Sequence, residues 1–115
     1  MPADALSQVF AALADPVRRD MVARLAVADA TVNELAEPYA MTVQAVSKHV
    51  KVLQTAGLVS RSRDAQRRPV HLEAEVLDLM TKWIERYRVL AEERHRRLDD
   101  VLADLPDDVA PMPPA

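Results

Sequence analysis

The chain has 115 residues, half of them apolar but only 3% aromatic, with one glycine, no cysteine and a net charge of −3. That size suits one domain with a core of Leu, Val, Ala and Met. The absent thiols exclude a disulfide framework and a thiolate metal site, and the lone Gly57 argues against phosphate-cradling loops and an all-β fold.

In chain order, Leu6, Val9, Phe10 and Leu13 recur at helical spacing and predict a first amphipathic helix. Asp15-Pro16 then supplies an N-cap followed by proline at the first helical position. Val17, Met21, Val22 and Leu25 form the inner stripe of that second helix, leaving Arg18, Arg19 and Arg24 for solvent or phosphate. Thr31 and Glu34 match a capping box for a short third helix, closed by Pro38. Thr42 caps a fourth helix that Gly57 is placed to end in a left-handed conformation. Its inner side carries Val43, Val46, Val50 and Leu53, and its outer side carries Gln44, Lys48, Lys51 and Thr55 with Ser47 at the edge.

Residues 58–63 and 69–73 read as two strands, with Pro69 acceptable as the first residue of an edge strand. The connecting loop lacks the Asn-Gly or Asp-Gly of a tight hairpin. From 76 to about 105 runs one long helical pattern, with Val76, Met80, Trp83, Tyr87 and Leu90 at alternating four- and three-residue steps. Residues 1–105 are thus expected to form one domain. Residues 106–115, with four prolines, are expected to be a disordered tail. No apolar run is long enough for a bilayer and no signal peptide precedes the first helix, which predicts a cytoplasmic protein.

The charge is segregated. Residues 42–71 carry six basic side chains and one acid, whereas residues 1–41 carry three and six, and residues 72–115 carry six and eleven. A cationic face on an acidic body steers toward phosphate in one orientation. Two short capped helices, a tight link, a glycine stop and a basic hairpin are the layout of a helix-turn-helix followed by a wing, whose second helix enters the DNA major groove. The expected fold is mainly α with a small β-hairpin, a winged helix-turn-helix with a long C-terminal dimerisation helix.

The runs F-A-A-L-A-D-P-V-R-R-D-M-V from Phe10, V-S-K-H-V-K-V-L from Val46 and A-G-L-V from Ala56 resemble the ArsR-type winged helix-turn-helix repressors. The resemblance extends over nearly the whole chain up to the tail. It implies a homodimer that binds an imperfect palindrome at a promoter, with the first and last helices at the dimer interface, and repression that some unidentified signal relieves. Many members of that family sense metals through cysteines on the third helix, but V-N-E-L-A-E from Val32 has none. Others use paired acidic and histidine ligands on the last helix, where this chain has His95 with Glu92 and Asp99 nearby. No family metal site transfers, and no cofactor is expected. The segment E-P-Y-A-M-T from Glu37 resembles the cysteine-free branch.

The residues expected to meet DNA are Thr42, Gln44, Ser47, Lys48, His49 and Lys51 on the fourth helix, with Arg61, Arg63, Arg67 and Arg68 on the wing. Ammonium groups suit phosphates, and Gln44 near the helix start suits a bidentate contact to adenine. Val43 or Ala45 suits a thymine methyl. His49 flanks the apolar face, where packing or a phosphate contact fits it better than a metal, and His71 reads as structural. The dimer interface is expected at Leu6, Phe10, Val76, Met80, Trp83, Tyr87 and Leu90, because so small a domain cannot bury the whole stripe of so long a helix. Two alternatives stay open, a winged-helix adaptor for proteins and a metal-responsive repressor with an unfamiliar O/N site. An adaptor has no need of an acid-free basic face, and the chain has no Cys, Gly-rich loop or Ser/His/acid set that would favour an enzyme.

Overall fold

A computed structural model of the protein describes residues 4–63 and 66–105; residues 1–3, residues 64 and 65 and the predicted tail at 106–115 lie outside the described residues. The elements run α1 (Ala5–Leu13), α2 (Pro16–Val27), α3 (Val32–Ala36), α4 (Val43–Thr55), β1 (Val59–Arg61), β2 (Val70–Leu72) and α5 (Ala74–Ala103). The chain divides into two compact units, residues 1–80 and residues 81–115.

Each of α1 to α4 starts where a side chain satisfies orphan N–H groups. Asp4 accepts from the Ser7 N–H at 2.7 Å, and Asp15 accepts from Val17 at 2.8 Å and Arg18 at 3.1 Å. The Arg18 N–H, joined by that of Val17, holds the Asp15 carboxyl below its usual range. The capping box of α3 is complete, with Glu34 N–H donating to Thr31 Oγ1 at 3.2 Å and Thr31 N–H donating to Glu34 Oε1 at 3.1 Å. Thr42 Oγ1 accepts from Ala45 N–H at 3.1 Å and starts α4.

α4 ends in a Schellman arrangement. The Leu58 N–H reaches the Leu53 carbonyl and the Gly57 N–H reaches the Gln54 carbonyl, both at 3.0 Å, while Gly57 takes φ 79°. A β-carbon at Gly57 would also lie 3.1 Å from Cγ2 of Val76. Gly57→Ala is therefore expected to cost about 1–2 kcal/mol for the left-handed backbone alone, with crowding at Val76 added. A urea melt of the variant checks this, and an unchanged midpoint would contradict it.

The core gathers Val9 and Ala12 of α1, Met21 and Leu25 of α2, Val32 and Leu35 of α3, Val46, Val50 and Leu53 of α4, then Leu58, Val59 and Val70. None is aromatic, so close packing of Met, Leu, Val and Ala side chains replaces the aromatic anchors of many domains. Val43 departs from the inner stripe and is 44% exposed.

The strands are shorter than the sequence suggests. β1 and β2 pair antiparallel with Val59 opposite Leu72, Ser60 opposite His71 and Arg61 opposite Val70. β2 is not an edge. Its Val70 N–H donates to the Ala30 carbonyl at 2.7 Å and its carbonyl accepts from Ala30 at 3.3 Å, an antiparallel bridge on the other side. Pro69 stands just before β2 and offers only its carbonyl, which accepts from Ser62 N–H at 3.0 Å.

Val76, Leu77 and Met80, at the start of α5, pack against the core of the first unit. In the second unit every described residue, 81–105, is exposed. Trp83, Tyr87 and Leu90 are 42%, 49% and 48% exposed, and the Trp83 and Tyr87 rings meet tilted with centroids 4.8 Å apart. Arg88 pairs with Glu85 and with Glu92, the latter at 2.5 Å, which is the spacing of helix-surface ion pairs.

Candidate nucleic-acid interface

The outer side of α4 is built by its capping and its buried stripe. Val46, Val50 and Leu53 fix the rotation of the helix, and that rotation leaves Gln44, Ser47, Lys48, Lys51 and Thr55 exposed. No acid occurs anywhere in α4. Thr42 is exposed too, with its Oγ1 already committed to the cap and its hydroxyl proton left to donate.

His49 is set differently from its neighbours. It is half-buried, and its Nδ1 accepts from Arg18 Nη1 at 3.2 Å. Arg18 also donates Nε–H to the Ala12 carbonyl at 2.6 Å and Nη2–H to the Ala11 carbonyl at 3.2 Å. One guanidinium thus joins α1, α2 and α4, and His49 is held from behind by the domain itself.

The other α2 arginines also depart from expectation. Arg19 donates to the Leu13 carbonyl at 2.8 Å, and Arg24 donates to the carbonyls of Leu35 at 2.8 Å and Glu34 at 3.0 Å. These carbonyls belong to the last turns of α1 and α3, which have no partner within their own helix. Cations there also offset the negative ends of the helix dipoles. Arg24 lies 5.5 Å from the centroid of the Tyr39 ring, and the Tyr39 hydroxyl donates to Asp20. Burial, followed by the Asp20 hydrogen bond, raises the Tyr39 pKa. Sequence reasoning missed all three staples. The available signal was their position just after one short helix and before another, where arginines commonly serve C-terminal carbonyls.

Arg24→Ala is accordingly expected to destabilise the fold by about 1–2 kcal/mol, because charge-assisted hydrogen bonds disappear and two carbonyls are left without a donor. Chemical denaturation reads this directly. Arg24→Lys should recover only part of the stability, since an ammonium lacks the planar fork that reaches two carbonyls. Full recovery by lysine would mean that charge alone matters at this site.

On the wing, Arg63 and Arg68 are exposed, and Arg68 adopts φ 47°, a left-handed turn leading the chain into Pro69 and β2. Arg67 is exposed and forms an ion pair at 3.2 Å with Glu34 Oε1, the oxygen that also closes the α3 capping box. The Thr31 N–H and hydroxyl, with Arg67 beyond them, hold the Glu34 carboxyl below its usual range. Arg61 is half-buried, with its Nε enclosed and without a hydrogen-bond partner among the described residues. His71 donates from Nδ1 to Asp29, which ties β2 to the segment after α2 and supports the structural reading of this residue. Gln44, Ser47, Lys48 and Lys51 therefore form one exposed polar surface, while His49 and Arg61 are held within the domain.

Comparison with known proteins matches the family described as a helix-turn-helix domain to residues 13–61, the span from the end of α1 through β1. The chain is 35% identical over 97 residues to the HTH-type transcriptional regulator Rv2034 of Mycobacterium tuberculosis, covering 84% of this chain and 91% of that protein. Among solved structures, the ArsR family transcriptional regulator RHA00566 aligns at 32% identity with a TM-score of 0.73, covering 77% of this chain and 98% of that one. The homodimeric winged helix-turn-helix DNA-binding domain Mb0332 of Mycobacterium bovis aligns at 25% identity with a TM-score of 0.61, covering 78% and 81%. With a capped α3–α4 pair, a short basic hairpin after it and these relatives along most of its length, the chain belongs to the ArsR family of winged helix-turn-helix, DNA-binding transcriptional regulators.

Proposed function

We propose that the protein is a cytoplasmic homodimeric repressor that binds an imperfect palindrome through α4 and its wing. The observation that carries this reading is the exposed, acid-free face of α4 with Gln44, Ser47, Lys48 and Lys51. Lys48 and Lys51 neutralise phosphates, Gln44 reads a base edge, and Thr42 and Ser47 donate hydroxyl protons. Arg63 and Arg68, with Arg67 once it leaves Glu34, meet the backbone or minor groove beside the site. His49 and Arg61 support these contacts from within the fold.

The dimer uses Trp83, Tyr87 and Leu90 of α5, together with Leu6 and Phe10 of α1. Val76 and Met80 contribute only what their packing against the core of the first unit leaves over. Repression follows from occupancy, because a dimer seated on two successive major grooves of a promoter covers DNA that polymerase must enter.

The test is operator selection from random and genomic DNA, followed by transcription in vitro from the recovered promoter. The expected result is a two-fold symmetric site, with half-sites one helical turn apart, and transcription that falls as protein is added. Recovery of no preferred sequence, or rising transcription, would overturn the reading.

A further inference from the structure

Val43 lies on the periodic line of Val46, Val50 and Leu53, yet those three are buried while Val43 is 44% exposed. It is the first residue of α4, directly after the Thr42 cap and beside Gln44. Val43 belongs neither to the buried core nor to the partly buried side chains packed against it. Ala45, the other small apolar residue of this turn, is half-buried.

The position is the one where a recognition helix meets base edges, at the N-terminal end of the second helix of the pair. A valine side chain has no donor or acceptor. Of the groups displayed in the major groove, the 5-methyl of thymine is the one that rewards apolar contact. Resting on the DNA-binding reading above, we propose that Val43 is a specificity-determining residue that packs against one thymine methyl in each half-site. Gln44 reads the neighbouring base edge, and Val43 discriminates against cytosine and against any base lacking that methyl.

The experiment uses the full chain and the selected operator, with each thymine replaced singly by deoxyuridine. That exchange removes one methyl and keeps every hydrogen-bonding group. Wild type is expected to bind about four-fold more weakly after exchange at a single thymine per half-site, the effect of one buried methyl-sized group. Val43→Ala should bind thymine and uracil operators within two-fold of each other at that position, which closes a double-mutant cycle. Sensitivity that persists undiminished in Val43→Ala, indifference of wild type to every deoxyuridine, or half-sites without a fixed A·T pair would each overturn the proposal. Those outcomes leave the DNA-binding reading intact, whereas failure to select any operator removes both. Val43 makes no part of the buried core, so a melting curve of Val43→Ala matching wild type shows that the fold is unaffected.

Discussion

Alanine at both Lys48 and Lys51 is expected to flatten the salt dependence of DNA binding by about two units of slope, about 0.9 for each phosphate no longer neutralised. Specific and random duplexes should be weakened alike, because an ammonium on a phosphate carries no sequence information. Both lysines are exposed, and neither belongs to the buried core, so the fold should survive the double substitution. Between 50 and 200 mM salt, the affinity of wild type should therefore fall roughly ten-fold further than that of the variant. Anisotropy titrations across a KCl series measure the slope. An unchanged slope would show that α4 does not lie along the phosphates. Gln44→Ala makes the useful contrast, since it should leave the slope alone and relax discrimination by about 1–3 kcal/mol at one position.

The second large effect is expected from Trp83→Glu. In the free chain Trp83, Tyr87 and Leu90 are each more than two-fifths exposed. Full burial of side chains of this kind is worth about 1.5–3 kcal/mol apiece. A second copy is the surface able to supply that burial, and a carboxylate placed in the seam stays unpaired there. The variant should sediment as a monomer at concentrations where wild type is a dimer. Operator affinity should fall by about 100-fold or more, consistent with losing one of two half-sites about 34–36 Å apart, while affinity for random DNA falls far less. Trp83 contributes to no buried cluster of the first unit, so that unit should keep its fold. A wild-type monomer at micromolar concentration that still holds a palindrome tightly would sink the dimer proposal.

Much of the architecture was legible because helix boundaries depend on local chemistry. Asp15-Pro16, Thr31 with Glu34, Thr42 and Gly57 each announce a terminus through groups within a few residues, and each has the role read from the sequence. The outer face of α4 was legible for the same reason, as three buried residues fix its rotation. What the sequence hid is long-range. The targets of Arg18, Arg19 and Arg24 lie on other helices, so a linear pattern hints at them only through the arginines' position between short helices and names none of the carbonyls they reach. The Ala30–Val70 bridge joins residues forty apart, beyond the reach of any local pattern. Periodicity places Val43 in the stripe because it knows the angle of a side chain but not where the neighbouring packing ends. Likewise, the even spacing of Val76, Met80, Trp83, Tyr87 and Leu90 gives no hint that the first two pack against the domain core.

The staples of α2 have one further consequence. Arg18, Arg19 and Arg24 hold α1 and α3 through main-chain oxygens of Ala11, Ala12, Leu13, Glu34 and Leu35. A peptide oxygen bears no net charge, is not titrated in the working range of pH, and has no counter-ion cloud to be exchanged. Grip on a polyanion has all the opposite properties. The same kind of residue is thus used in two chemically separate ways, and ionic strength should act on them very unequally. Concentrated salt should release the nucleic acid while the folded body stays assembled, so that cycles of capture and release leave the reader intact and ready to rebind.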